Sequence, residues 1–394
     1  MAVTGTPTIF LFDRWDERLG TLPVLESLVH TEELGGEDTI EFSCALAPAK
    51  GDRLLWRDPD DGRWREHVVV RTDETWGAAA HVYAESSLCE LLGDFVEDRQ
   101  LMLKTPDQGL AAVLETTRWE AGAIDVPAYQ RSCYLYHVNA LAALRRIEEV
   151  WEGEVEMGVE VDDLRVVRRT AALKRRIGSW RGARLVYSKN AASCTRTVLE
   201  DEVVTALYGF GRGLPILDDA GSPTGGFTRR LTFSEINGGA AWIGDEGARE
   251  RWGIWDAGRK ERRHRFGQAI FAECEDPYKL MGLTRSALAR ACEPRVTYEA
   301  EIAAFEGAPA VGLGDDVAVV DPLAAPDDTR TYRAARRVRT FGTARRTVVT
   351  LGDIERTTWA AAGEMTARMA SVEETAAGAS DSVASIDDLE GKRF

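Results

Sequence analysis

The sequence predicts a mainly β chain with α+β insertions, in which two similar β-modules bracket smaller α/β modules. Three observations carry this. The first is a nine-residue pattern that occurs twice, as Gly51-Asp52-Arg53-Leu54-Leu55-Trp56-Arg57-Asp58-Pro59 and as Gly314-Asp315-Asp316-Val317-Ala318-Val319-Val320-Asp321-Pro322. Gly, Asp, an aliphatic residue, Asp and Pro fall at the same offsets, and Leu54 and Trp56 match Val317 and Val319 on the period of a half-buried strand. The second is an apparent echo downstream, Val70-Arg71-Thr72 against Val338-Arg339-Thr340. The third is a change near residue 99 from strand-like alternation to capped helical stripes.

Totals narrow the function classes. The chain has 394 residues, room for two to four domains, with 44% hydrophobic and 29% charged residues. A formal net charge of -16 opposes a general nucleic-acid binder. No apolar stretch approaches the roughly 20 residues that span a bilayer. Met1 to Asp13 lacks a basic start and a long apolar run, so no secretory signal is expected. The six cysteines form no Cys-x-x-Cys pair, and reduced, mostly buried thiols are expected.

In chain order, Thr8–Phe12 reads as a short strand, and Thr39–Leu46 alternates with Ile40, Phe42, Cys44 and Leu46 on one face. Leu54–Trp56 and His67–Arg71 flank a hairpin turn at Asp58-Pro59-Asp60-Asp61-Gly62, and Ala80–Ala84 extends the sheet. Residues 1-98 form the first β-module. Thr105-Pro106-Asp107-Gln108 is a capping box with Pro at the first helical position. A second helix runs from Asn139 to Glu152, and strands at Val155–Val161 and Leu164–Val166 complete a small α/β module over 99-175. Strands at Arg184–Ser188 and Val203–Tyr208, then Val296–Ile302, Asp316–Val320, Arg333–Thr340 and Arg345–Leu351, build the second β-module over 176-213 and 296-358. An inserted α/β module fills 214-295, with a helix opened by Asp276-Pro277. Residues 359-394 read as a helical tail, striped by Met365, Met369, Val372 and Ala376.

No pattern declares a catalytic, cofactor or metal site. Gly209-Phe210-Gly211-Arg212-Gly213 lacks phosphate-loop spacing. Asp58, Asp60 and Gly62 faintly suggest a calcium loop, but the bidentate Glu is missing and a hairpin tip fits better. His30, His67, His81, His137 and His264 show no metal-ligand spacing. The run Arg259-Lys260-Glu261-Arg262-Arg263-His264-Arg265 is the one strong basic cluster, read as a solvated face or as a contact with an acidic neighbour subunit. Trp242, Trp252 and Trp255 leave a carbohydrate-binding β-protein as another reading.

The order of modules resembles phage tail proteins of the prophage endopeptidase tail family, which are similar to the baseplate hubs of contractile phages. The residues that carry the resemblance are Thr105-Pro106 before its helix, Trp119-Glu120-Ala121-Gly122, Leu185-Val186-Tyr187-Ser188-Lys189-Asn190, Val204 to Gly211, Asp276-Pro277, and Gly312 to Val317. They spread over residues 10 to 355. The resemblance implies a baseplate-hub-like fold in which both β-modules are barrels. It implies a structural tail-tip protein: a homotrimer closing the tail tube, docked on a hexameric distal tail protein or tail tube. Partners would be the tape measure protein and receptor-binding or fibre proteins, with DNA passing through the lumen. It places the protein at the virion tail tip, assembled in the cytoplasm of the bacterial host. Relatives carry a peptidoglycan-cleaving domain or fibre after this region; this sequence stops at Phe394, so no enzyme activity is expected. The alternative is a peptidoglycan hydrolase acting on the host wall.

Overall fold

A computed structural model describes residues 5–186, 191–199, 203–217, 223–271, 274–302, 311–320 and 329–352. The chain divides into two compact units: residues 1–196 with 297–370, and residues 197–296 with 371–394.

Unit one begins with β1 (Ile9–Phe12), β2 (Arg18–Leu22), β3 (Val24–Glu33), β4 (Asp38–Cys44), β5 (Arg53–Arg57), β6 (Trp64–Asp73) and β7 (Ala80–Ser86). A small α/β module follows: β8 (Phe95–Lys104), α1 (Pro106–Leu114), β9 (Glu120–Asp125), β10 (Arg131–Asn139), α2 (Ala140–Trp151), β11 (Glu154–Asp162) and β12 (Arg165–Lys174). Then come β13 (Trp180–Val186) and β14 (Ala191–Leu199). Unit two holds β15 (Ala206–Phe210), β16 (Gly213–Leu217), β17 (Pro223–Arg230), β18 (Trp242–Gly244), α3 (Glu246–Trp252), β19 (Ile254–Asp256), β20 (Glu261–Arg263), β21 (Phe266–Ile270) and α4 (Pro277–Ala291). The chain returns through β22 (Arg295–Ile302), β23 (Asp316–Val320), β24 (Thr329–Gly342) and β25 (Arg346–Gly352).

The two β-modules have the same wiring. In the first, β3 to β7 lie in the order β5-β6-β7-β4-β3; in the second, β14 and β22 to β25 lie in the order β23-β24-β25-β22-β14. Each strand of one module thus has a counterpart of the same chain rank and sheet position in the other. The first module's edge strand β3 pairs antiparallel with the Arg336–Gly342 half of β24, whose Thr329–Arg333 half pairs with β23, so both modules belong to one 13-stranded sheet. The outer neighbours differ: β1 runs antiparallel to β5, whereas β13 runs parallel to β23.

The repeated turn matches bond for bond. Gly51 (φ 91°) and Gly314 (φ 79°) both sit in the left-handed region that glycine enters without penalty. The Asp52 carboxylate accepts the Ala49 N–H at 2.8 Å, and the Asp315 carboxylate accepts the Gly312 N–H at 2.8 Å. Gly51 donates to the Val69 carbonyl and Val69 to that of Asp52; Gly314 donates to the Ala334 carbonyl and Ala334 to that of Asp315. Ala334 therefore stands where Val69 stands. The next residues correspond as Val70 and Ala335, so the likeness of Val70-Arg71-Thr72 to Val338-Arg339-Thr340 is out of register and coincidental. Asp321-Pro322 lies outside the described residues, as do Tyr187 to Asn190 and the expected helical tail over 359-394.

The expected mainly β, antiparallel class holds. Barrel closure does not appear: among the described residues the sheet path runs open from β14 to β2. Sequence reading missed β2 and β3, because Val24–Glu33 alternates poorly and buries four consecutive residues, His30 to Glu33, at its end. It also missed β8, β9 and β10. Of the Trp119–Gly122 stretch, Glu120 to Gly122 lie in β9, which pairs in parallel with β12. Residues 176-213 were expected with the second β-module; β15 instead pairs with β18 and β21 in unit two.

Core placement follows the patterns. Ile40, Phe42, Leu54, Trp56 and Val82 fill the first module, and Phe341 from β24 joins them. Leu110 and Val113 of α1 pack with Leu144, Ile147 and Trp151 of α2 against Leu101, Leu135 and Leu173. The capping box at Thr105 and the Asn139 cap, which accepts from Ala142 N–H, begin the two helices. In unit two, Asp276 caps α4, whose Leu280, Thr284 and Leu288 are buried. Gly209 faces Thr284 so closely that a Cβ there would lie 2.0 Å from its hydroxyl. The cysteines are free thiols.

Candidate functional site

The densest polar constellation lies where β24 meets the first module. Strand alternation aims His30 and Glu32 of β3, Arg65 and His67 of β6, and Arg337 and Arg339 of β24 to one side. Arg339 is 1% exposed and forks onto Asp58, Nη1 to Oδ1 at 2.8 Å and Nη2 to Oδ2 at 2.6 Å. It also reaches Asp60 at 2.7 Å, which Arg345 holds from outside. Arg65 bonds Asp58 at 2.7 Å and Glu32 at 2.7 Å, and Arg337 donates to Glu32. Burial would raise the Asp58 and Glu32 carboxyls. The facing cations win: Arg339 and Arg65 hold Asp58 well below the usual carboxylate range, and His30 with Arg65, Arg337 and Arg339 holds Glu32 at about 2. Asp58 and Asp60, weighed in the sequence as a faint calcium loop, are thus ligands of arginine.

Beside this fork, His30, Asp38 and His67 present donor atoms within 4.8 Å of one another, the spacing of a metal site. Sequence spacing gave no hint of it, since the strand carrying His30 was not read. The hydrogen bonds fix the tautomers. Arg339 Nη2 and Trp56 Nε1 can only donate, so His30 Nδ1 (2.6 Å) and His67 Nδ1 (3.2 Å) must accept. Each Nε2 then carries the proton and donates to Asp38 Oδ1, at 2.9 and 3.1 Å. A metal bound through either Nε2 would move that proton to Nδ1, against the N–H of Arg339 or Trp56. The donor set therefore fits neutral, structural histidines and does not fit a cation. Burial, with Arg339 alongside, lowers the His30 pKa to about 4 despite the nearby carboxylates. Burial would raise the Asp38 carboxyl, but donation from His67 and His30 holds it well below its usual range.

Two further seams use the same chemistry. Arg169 of β12 forks onto Glu66 of β6 at 2.7 and 2.6 Å and reaches Asp16 at 2.9 Å; Arg53 and Arg118 close on the same carboxylates. Arg333 of β24 grips Glu154 of β11, and Arg176 grips Asp316 of β23. The α/β module is thus clamped to both β-modules. Replacing one partner of the buried Arg169–Glu66 pair strands a charge away from water, a cost of several kcal/mol, whereas the Arg333–Glu154 and Arg176–Asp316 pairs are part-exposed and worth less.

His81, His137 and His264 join neither one another nor the cluster. His264 bonds Thr205 in unit two, and His137 packs on Tyr136. The Gly209–Gly213 segment runs from β15 towards β16 with no helix behind it. No described helix is long and apolar enough to cross a membrane.

The fold defined by these modules is that of a class of prophage tail proteins. Prophage tail protein gp18 from Listeria monocytogenes EGD-e aligns with a TM-score of 0.54 and 15% identity, covering 93% of this chain and 99% of its own. The 43 kDa tail protein of prophage MuSo2 from Shewanella oneidensis aligns at 0.58 and 10% identity, covering 87% and 98%. A tail protein from Neisseria meningitidis MC58 aligns at 0.57 and 9% identity, covering 90% and 98%. These identities establish shared architecture alone. No protein-family pattern and no curated sequence matches the chain.

Proposed function

We propose that this protein is a structural hub at the tip of a phage or phage-like tail, with three copies forming a ring that closes the tail tube. The observation that carries the reading is the duplicated module: two five-strand sets of identical wiring and matching opening turn, joined in one sheet through β3 and β24. One chain then offers two similar faces, and three chains offer six, matched to a sixfold tube or distal tail ring. In the ring each module would contribute to a barrel-like wall. The ionic seams suit this role, since they fix modules in one geometry without exposing a reactive group. An acidic chain suits a lumen that DNA and a tape measure protein traverse without sticking. Receptor-binding or fibre proteins would attach at the far side. The neutral tautomers at His30 and His67 support reading that cluster as structural.

Immunogold electron microscopy of assembled particles tests this. Antibody against the chain should label one end of the tail. Label along the tube, or none on particles, would defeat the reading. Clearing of cell walls by the isolated chain would favour the hydrolase instead.

A further inference from the structure

Two exposed ribbons, one in each unit, both carry surplus apolar side chains. Among the described residues the hairpin in unit two presents unpaired cations, and the ribbon in unit one presents unpaired Glu97 and Asp98, its Arg99 and Arg131 being held by Glu115 and Glu152. In unit two, β19 and β20 form a hairpin that pairs Ile254 with Arg263 and Trp255 with Arg262. Ile254 is 41% and Trp255 60% exposed, and Arg259, Lys260, Arg262 and Arg263 are all exposed. Arg262 donates to the Gly253 carbonyl, yet none of these four cations meets a carboxylate among the described residues. They stand in a chain whose acidic residues outnumber basic ones 65 to 49.

In unit one, β8 and β10 form a two-stranded ribbon whose outer edges are both unpaired among the described residues. Helices α1 and α2 cover its inner face through Val96, Leu101, Cys133 and Leu135. The outer face is bare. His137 takes a left-handed conformation (φ 48°), and the burial parity of the strand changes there, from Val138 to Leu135. This leaves the opposed pairs Asp98–Tyr136 and Gln100–Tyr134 outside. Tyr134 and Tyr136 are half exposed, as are Phe95 and Met102. Glu97 and Asp98 are exposed on the same strand with no cationic partner among the described residues. A bare apolar face beside unpaired strand edges marks an interaction surface.

We propose that the β19–β20 hairpin of one copy docks on the β8–β10 ribbon of the next copy. Trp255 and its cross-strand neighbour Arg262, on one face of the hairpin, would lie against Tyr136 and its opposite neighbour Asp98, with Arg263 and Glu97 adding charge at the rim. The contact joins two different patches of the same chain. It is therefore head-to-tail, and it closes into a ring when the rotation permits. The inference rests on the ring proposed above and names the surfaces that hold it.

The test uses the full chain and mass photometry across a concentration series. Wild type should form trimers that dissociate as salt is raised. The double variant Arg262→Glu with Arg263→Glu should raise the apparent dissociation constant about tenfold or more. Adding Glu97→Arg and Asp98→Arg should restore trimers. Unchanged thermal melts in the variants guard against unfolding. A wild-type trimer indifferent to the reversal overturns this contact and leaves the ring standing. A wild type monomeric at every concentration overturns both. Trimers that persist while the reversal abolishes retention on a polyanion column would assign the hairpin to an anionic ligand instead, and the contact would fall.

Discussion

Arg339, on β24, forks onto Asp58, in the hairpin between β5 and β6, with both partners shielded from water. The pair ties the second β-module into the first across most of the chain's length. Arg339→Leu leaves Asp58 with one remaining guanidinium and Glu32 with two, and should cost about 3–5 kcal/mol. Arg346→Ala removes an exposed partner of Glu301 and should cost less than about 1 kcal/mol. Urea denaturation of the two variants measures the difference, and equal losses would remove the seam from the account.

The same cluster sets a pH dependence with a worked sign. His30 is held neutral in the fold, to about pH 4, while the unfolded side chain protonates near its ordinary value of 6.5. Between those values the unfolded state binds the extra proton, so stability falls as pH falls, by up to about 3 kcal/mol. Glu32 is ionised in the fold to about 2, against 4.5 unfolded. Its contribution is complete above about 4.5 and is lost as pH drops towards 2. Urea midpoints should therefore decline steadily from pH 6.5 to pH 4, and His30→Gln should flatten that segment. A flat wild-type profile would contradict neutral burial of His30.

The repeated turn makes a differential prediction. Gly51→Ala meets only an ordinary contact, Arg14 at 3.9 Å, and bears the positive φ alone, about 1–2 kcal/mol. Gly314→Ala adds a collision, because a Cβ there lies 2.4 Å from the Ile177 carbonyl oxygen. It should cost at least about 2 kcal/mol more than its counterpart. Equal denaturant midpoints for the two variants would mean the second turn relaxes freely.

Asp52→Ala should cost about 1–2 kcal/mol, the loss of one buried charge-assisted bond to the Ala49 N–H. Asp315→Ala should cost more, since Asp315 also accepts from the Ser179 N–H and pairs with Arg181. The double variant should lose the sum, because the two turns share no partner. A double-mutant cycle by chemical denaturation reads this directly.

What the sequence disclosed was local. The Gly-Asp turn, the hairpin at Asp58–Gly62, the capping box at Thr105 and the Pro277 helix start are each written in adjacent residues, and the structure shows each one. The seams were hidden because their partners lie far apart: Arg339 and Asp58, Arg169 and Glu66, Arg333 and Glu154 approach only after the sheets pair. His30, Asp38 and His67 were hidden twice. They lie on three strands, and the one carrying His30 buries polar residues, His30, Glu32 and Glu33, so hydrophobic periodicity could not reveal it. The downstream echo shows the opposite failure: three residues agreed, but the hydrogen-bond register, fixed by Val69 and Ala334, placed them at different positions.

The central claim is that a duplicated module makes a threefold ring with six similar faces. Cryo-electron microscopy of the assembled full chain, or of the tail tip itself, measures that most directly. The account predicts threefold class averages in which β3–β7 and its counterpart, β14 with β22–β25, alternate around the axis about sixty degrees apart. Assemblies without a threefold axis, or a ring in which only one of the two modules faces the tube, would contradict it.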